Sequence, residues 1–202
     1  MGIWNLSAPY LAKAPITVLS ESFETFSGWV TVGTGTVSQS SAQAYEGTFS
    51  ALKNNTDDPN GAYKLLSEPV QRNFVLSAWI YSVEPRAGGA ADRISIVDSS
   101  GNGYGFFTVG ASFRVERRDA YAGTDFSLND ASWTRPANTW YRIVLKANSD
   151  NTFTTQAFDN TGTLLGTQNS IADTTHTGSF DRIAILGGRD YHVDNLVVKR
   201  FD

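Results

Sequence analysis

The sequence predicts an all-β protein, an antiparallel β-sandwich, from two observations. Short runs rich in Val, Ile, Phe, Tyr, Trp and Thr alternate with clusters of Gly, Asn, Asp and Ser along most of the 202 residues, which is the spacing that strands and turns produce. No segment keeps a helical period of apolar residues over three turns. A sandwich of about 200 residues folds as one unit with its own hydrophobic core.

The predicted strands follow one another from residue 20 to the end of the chain. Three turn sequences, DSSGNG (98–103), NSDN (148–151) and DNTG (159–162), connect neighbouring runs and predict β-hairpins. The predicted strands cover residues 20–24, 28–38, 48–53, 62–67, 73–83, 92–98, 104–109, 112–118, 139–147, 152–159, 163–168, 180–187 and 191–200.

Two of these strands show which side chains point away from the core. Successive side chains of a strand point to opposite faces, so an apolar row predicts the inner face. The inner rows are Phe74, Leu76, Ala78 and Ile80 in one strand and Tyr141, Ile143, Leu145 and Ala147 in the other. The opposite rows include Trp79, Tyr81, Trp140 and Arg142.

Residues 1–19 are predicted to form an N-terminal anchoring arm, and residues 20–202 the sandwich. The arm has neither the basic start nor the continuous apolar stretch of a secretory signal peptide, and two prolines interrupt it. No run of about 18 apolar residues exists, so we expect no membrane insertion. The net charge of −4 and the lack of a basic cluster argue against nucleic acid as a partner. Cysteine is absent, which excludes disulfides and thiolate metal sites.

Several segments resemble a known fold family in their order along the chain. They are ESFETFSGW (21–29), AYEGTFSALK (44–53), FVLSAWIY (74–81), WYRIVLKANSDNTFTTQAFDNTGTLLG (140–166) and VDNLVV (193–198). This order resembles the concanavalin-like jelly rolls, which include laminin-G-like domains and β-sandwich carbohydrate-binding modules, over about residues 20–202. The resemblance implies a jelly-roll sandwich, and it supports the fold better than any function.

We expect no catalysis. The sequence has no nucleophile-elbow, zinc-protease or phosphate-loop motif. Glycanases of similar fold carry E-x-D-x-x-E along one strand, and ESFE (21–24) lacks the central acid. Glycan binding requires less, namely exposed aromatic rings with polar neighbours. The candidate glycan-binding residues are Trp79, Tyr81, Trp140 and Arg142, with Tyr104, Tyr121 and Trp133 as further rings. The alternative is that each ring belongs to the core.

Asp194 lies in an apolar run, YHVDNLVVKR (191–200), where a carboxylate needs a partner. Its parity groups it with His192, Leu196 and Val198. The resemblance implies a structural calcium ion between the first and last strands, with Glu24, Glu46 and Asp194 and carbonyls of the 45–47 turn as ligands. Backbone amides, or a salt bridge to Arg182 or Arg189, are the alternatives that the sequence leaves open.

We expect a non-catalytic surface or adhesion protein, specifically a virion component such as a head decoration or fibre protein. The arm would dock on a virion or other assembly protein, and the sandwich would face surface glycans. The expected location is a virion or extracellular surface without a signal peptide, and a homo-oligomer fits this expectation. The alternatives are a soluble carbohydrate-binding module, a glycan-active enzyme, and a domain that only cements an assembly.

Overall fold

The computed structural model describes residues 13–54, 61–82, 91–109, 112–121, 125–133, 136, 138–187 and 190–202. Fifteen strands are present in this part of the chain. They are β1 (Ile16–Glu21), β2 (Trp29–Val32), β3 (Thr36–Ser40), β4 (Ser50–Asn54), β5 (Gly61–Val70), β6 (Phe74–Ser82), β7 (Ala91–Val97), β8 (Gly103–Val109), β9 (Ser112–Arg118), β10 (Asp125–Ser132), β11 (Trp140–Ala147), β12 (Thr152–Asp159), β13 (Leu164–Ala172), β14 (Phe180–Leu186) and β15 (Tyr191–Arg200).

The strands form two antiparallel sheets. The eight-stranded sheet has the order β13-β12-β11-β6-β15-β4-β3, and β1 also pairs with β15. The seven-stranded sheet has the order β10-β9-β8-β7-β14-β5-β2. The described residues contain no helix, so none of them forms a helix that is long and apolar enough to cross a membrane. The predicted all-β antiparallel sandwich is confirmed.

One apolar core fills the space between the sheets. The inward rows predicted for β6 and β11 are confirmed, because every member of both rows is fully buried. The opposite rows, which include Trp79 and Arg142, are half-buried, except for Lys146, which is exposed. Burying these two inner rows removes apolar surface from water. Each Å² removed stabilises the fold by about 25 cal/mol, and this burial is the main force that holds the sheets together.

The three predicted hairpins are confirmed. The turn between β12 and β13 shows why the sequence predicts them well. Asp159 accepts hydrogen bonds at Oδ1 from the backbone N–H groups of Thr161 and Thr163, at 2.9 and 2.8 Å. Gly162 adopts a φ of 88°, in the left-handed region that glycine tolerates without a steric penalty.

The strands differ from the predictions mainly in three places. β1 begins at Ile16, so the sandwich includes residues that were predicted to belong to the arm, while residues 1–12 of the arm lie outside the described chain. The predicted strand 28–38 is two strands, because the chain turns at Gly33 with a φ of 70°. β10 was not predicted, because Asp, Ser and Asn are poor strand formers. Pairing with β9 holds it in the sheet.

The predicted parity of Asp194 is confirmed for His192, since these two residues pair with Trp79 and Tyr81 on the outward face of β6, but it is wrong for Leu196 and Val198. A β-bulge interrupts the pairing of β15 with β6 between Asp194 and Val197, and Asn195 has a positive φ of 43°. A bulge adds one residue and reverses the face of all residues beyond it. Leu196 and Val198 therefore lie in the core, whereas Asp194 pairs with Trp79 and shares its outward face.

Candidate functional site

Aromatic side chains gather on the outer face of the eight-stranded sheet. Antiparallel register places Trp140 opposite Tyr81 and Arg142 opposite Trp79. The turn before β4 contributes Tyr45, which the sequence did not single out as a ring. These five side chains are half-buried, and we call them the aromatic face: Tyr45, Trp79, Tyr81, Trp140 and Arg142. The four predicted glycan-binding residues thus lie together, although nothing yet shows that a glycan binds them.

The rings of the aromatic face pack on one another. Tyr45 stacks on Trp79, with ring centroids 3.8 Å apart and planes 14° from parallel. Tyr81 and Trp140 lie 5.6 Å apart in a tilted arrangement. The guanidinium carbon of Arg142 is 5.8 Å from the Trp79 ring centroid. The surface is therefore ordered by its own contacts, and one face of the Trp79 indole is already covered by Tyr45.

Asp194 holds Tyr45 in this position. Its Oδ2 accepts hydrogen bonds from the backbone N–H groups of Tyr45 and Glu46, at 2.9 and 3.1 Å. Its Oδ1 accepts one from the N–H of Asn195 at 2.7 Å. Charge-assisted hydrogen bonds of this kind are stronger than neutral ones. Asp194 thus fastens the turn to β15 and, through the turn, sets the Tyr45 ring on Trp79.

The three predicted metal ligands lie around the same turn. Glu24 accepts hydrogen bonds at Oε1 from the backbone N–H groups of Thr48 and Phe49, at 2.8 and 3.0 Å. Glu46 accepts at Oε2 from the side-chain amide of Asn195, at 2.9 Å. The carboxylate oxygens are thus directed at amide hydrogens.

The contacts present at this turn are hydrogen bonds from amide groups. Each of the three carboxylates accepts at least one of them, and calcium would need six to eight oxygen ligands. Within the described chain, no group of three or more His, Asp or Glu side chains is arranged to hold a metal ion. Of the alternatives left open by the sequence, the backbone-amide version is the one whose contacts are present. Calcium binding stays a prediction.

Burial perturbs two titratable groups near the aromatic face. Desolvation raises the pKa of Asp194, while its amide partners act in the opposite direction. Desolvation lowers the pKa of His192, partly offset by the charge of Asp190. His192 lies opposite Tyr81 in the sheet, and its Nδ1 is 3.0 Å from Oγ of Ser50. Both groups therefore disfavour their charged forms inside the fold.

A shallow depression adjoins the aromatic face on the same three central strands. Its volume is about 290 Å³. We call it the cationic depression, and its lining residues are Val75, Ser77, Arg142, Val144, Val197 and Lys199. Ser77 lies between Val144 and Val197 in the sheet, so small side chains form the floor and the longer Arg142 and Lys199 rise beside it.

Two of the further candidate rings are not available to a ligand. Tyr104 and Trp133 are buried in the core, where Tyr104 packs 4.5 Å from Phe153 between ring centroids. Tyr121 packs against a separate small apolar cluster on the seven-stranded sheet. Of the predicted salt-bridge partners of Asp194, Arg182 pairs with Asp181 instead, and Arg189 lies outside the described residues.

The outer face of the seven-stranded sheet has a different chemistry. Arg93 contacts Glu116 at 2.6 Å, and Arg118 contacts the other oxygen of Glu116 at 2.9 Å. We call these three side chains the buried ion triad, because their exposed fractions are 2%, 1% and 0% for Arg93, Glu116 and Arg118. Asp92 lies on the opposite, inward face of β7, where it is also buried and accepts hydrogen bonds from Ser82, Thr108 and Tyr141.

Comparison by sequence finds one uncharacterized relative. No protein-family model matches the chain. An uncharacterized protein of Methanocaldococcus jannaschii is 35% identical over 182 residues, which is 89% of this chain and 18% of that protein. The chain therefore spans less than a fifth of the length of this relative.

Solved structures share the fold at low identity. A carbohydrate-binding module of Bacillus subtilis has a TM-score of 0.57 and 17% identity, over 85% of this chain and 95% of the module. The receptor-binding domain of botulinum neurotoxin type G has a TM-score of 0.56 and 13% identity, over 90% of this chain and 47% of that one. A glucuronan lyase of Trichoderma reesei has a TM-score of 0.54 and 15% identity, over 92% of this chain and 96% of the lyase. These likenesses establish that the chain has a jelly-roll β-sandwich fold.

Proposed function

We propose that the chain is a non-catalytic binding domain that recognises saccharides through the aromatic face. One observation carries this proposal. Tyr45, Trp79, Tyr81 and Trp140 come from three separate segments and collect beside Arg142 on the outside of a sandwich that already has a complete core. Aromatic rings on an exterior surface can contact the apolar faces of sugars, and an arginine can donate hydrogen bonds to hydroxyl groups.

The mutual packing of the rings favours binding. Ordering a flexible side chain at an interface costs about 0.5–1.5 kcal/mol. Tyr45 and Arg142 already restrain Trp79, and Tyr81 already packs on Trp140. A ligand that meets these rings therefore has less conformational freedom to remove. Because Tyr45 occupies one face of Trp79, Tyr81 and Trp140 are the rings proposed to contact the sugar.

The acids of the described chain support a binding role over hydrolysis. Glycosidases need two carboxyl groups about 5 to 10 Å apart beside the substrate. The cationic depression has no carboxylate among its lining residues, and Glu116 and Asp92 are enclosed by partners elsewhere. The lack of catalysis stays a prediction, as does the alternative of a glycan-active enzyme.

The fold neighbours are compatible with this proposal. A carbohydrate-binding module and a toxin receptor-binding domain use the same sandwich. The finer assignment to a virion, with a head decoration or fibre role, stays a prediction. It depends on docking through residues 1–19, of which residues 1–12 lie outside the described part.

A polysaccharide array tests the proposed function. We expect the purified chain to bind at least one polysaccharide, and Trp140→Ala or Tyr81→Ala to weaken that binding more than about tenfold, because aromatic anchors dominate such interfaces. The matched control is Phe126→Ala, which removes an exposed ring that contacts Arg117 on the other sheet. A folded chain that binds no polysaccharide on the array would contradict the proposal.

A further inference from the structure

We propose that the saccharide bound by this domain is acidic, with its carboxylate groups held in the cationic depression. This inference rests on the proposed function and narrows its ligand class. The depression adjoins the aromatic face directly, since Ser77 and Trp79 are two residues apart on the same face of β6. Val75 lies a further step along that strand, about 13 Å from Trp79 at the usual rise per residue.

The cations of the depression lack acidic partners. Within the described chain, Arg142 and Lys199 form no ion pair. Both side chains line the depression and are half-buried, so their accessible N–H groups can donate to a ligand oxygen there.

The acids nearest to the aromatic face, namely Asp194, Glu24 and Glu46, accept amide hydrogen bonds and form no ion pair with these cations in the described chain. Asp194 is opposite Trp79 in the sheet, but its side chain is fully buried under the 45–46 turn and accepts three backbone hydrogen bonds. Lys146 is an exposed third cation in the row of Val75 and Lys199. Its charge also acts on Asp150, so the inference depends on Arg142 and Lys199.

The shape and the charge together select a uronate-type ligand. A neutral sugar would leave two cations beside an apolar floor without an anion, whereas a carboxylated sugar can pair with them by charge-assisted hydrogen bonds. The apolar floor of Val75, Val144 and Val197 suits the C–H surface of a sugar ring. A small free anion would use the cations but leave the adjoining rings without contact, so the occupant is a saccharide chain that carries carboxylates.

Paired polymers test this inference. The probes are polygalacturonate, alginate and glucuronan, each compared with its carboxyl-reduced neutral form by affinity electrophoresis and calorimetry at pH 7. We expect at least one acidic polymer to bind about tenfold more tightly than its reduced form, because a charged hydrogen bond contributes about this much. Raising the salt concentration should narrow the difference, since the cations are half-exposed.

Variants locate the effect. Lys199→Gln should lower the affinity for the acidic polymer about tenfold, and adding Arg142→Gln should bring it close to that of the reduced form. The control Arg182→Gln removes a cation from the other sheet and should change nothing. Equal binding of each acidic polymer and its reduced form would overturn the acidic-ligand inference while leaving the proposed function intact. Failure of every polysaccharide, acidic or neutral, would remove the proposed function and the inference with it.

Discussion

The outer faces of the two sheets carry polar and aromatic side chains in similar alternating strands, but they use them in opposite ways. On the seven-stranded sheet, Glu116 of the buried ion triad pairs with both Arg93 and Arg118, at 2.6 and 2.9 Å. On the eight-stranded sheet, Arg142 and Lys199 lie beside half-buried rings and form no ion pair within the described residues. The charges of the first face contact one another inside the protein, whereas those of the second are the ones that we propose for ligand binding. The two faces thus contrast paired charges with charges that have no ion-pair partner among the described residues.

The largest expected effect comes from breaking the buried ion triad. Glu116→Ala leaves the guanidinium groups of Arg93 and Arg118 buried without this carboxylate, which costs about 3–5 kcal/mol when one partner of a buried pair is lost. Urea denaturation should show a loss of this size in the free energy of unfolding. The control Glu68→Ala removes an exposed partner of Arg200 and should cost about 1 kcal/mol or less. Equal losses for the two variants would mean that the triad has no structural role.

A smaller effect is expected at the junction of the turn and β15. Asp194→Ala leaves the N–H groups of Tyr45 and Glu46 without acceptors, at a cost of about 1–3 kcal/mol in the free energy of unfolding. Hydrogen exchange at these two amides should become faster, and tryptophan fluorescence should change as Tyr45 leaves Trp79. Asp194→Asn retains an acceptor oxygen, so its free energy of unfolding should lie between those of Asp194→Ala and the native chain. Unchanged exchange at both amides would contradict the role assigned to Asp194.

A still smaller effect is expected in the pH dependence of stability, because His192 is buried beside the aromatic face. Desolvation lowers the pKa of His192 below its ordinary 6.5. The unfolded chain therefore takes up its proton first as the pH falls, and folding is weakened below about pH 6.5. Thermal melts should give a lower Tm at pH 5.5 than at pH 7.5, and His192→Gln should reduce the difference. If His192→Gln left the Tm difference between pH 5.5 and pH 7.5 unchanged, groups other than His192 would be responsible for it.

No effect is expected from chelation. The carboxylates of Glu24, Glu46 and Asp194 accept amide hydrogen bonds, so removing divalent cations with EDTA should leave the Tm unchanged. Added calcium serves as the converse measurement. A rise in Tm with calcium that EDTA reverses would establish the metal site and require the amide contacts to rearrange around it.

The sequence predicted the fold where the pattern is local. Alternation placed Ile80 inside and Trp79 outside, and clusters of Asn, Asp, Ser and Gly placed the hairpin turns. It failed where a single residue changes the register, because the positive φ of Asn195 moves Leu196 into the core. Alternation alone cannot reveal such a bulge.

The candidate site was predicted in part for a similar reason. Trp79, Tyr81, Trp140 and Arg142 are on neighbouring strands, and their parity is visible in the sequence. Tyr45 is not on a strand, and a carboxylate 149 residues away sets its position. Its one signal was the position of an aromatic residue immediately before the EG turn. The unpaired state of Lys199 depends on which acids the fold brings near it, which no local pattern contains.

The first and last described strands run side by side, with Ile16 opposite Arg200. The start of β1 and the end of β15 therefore lie at the same end of the sandwich. Asp194, beside Trp79, is six residues from Arg200 along β15, or about 20 Å at the usual rise of a strand. A tag joined after Asp202 is therefore attached at that end of the sandwich, away from the aromatic rings. Immobilising the chain through such a tag should leave those rings accessible to a ligand.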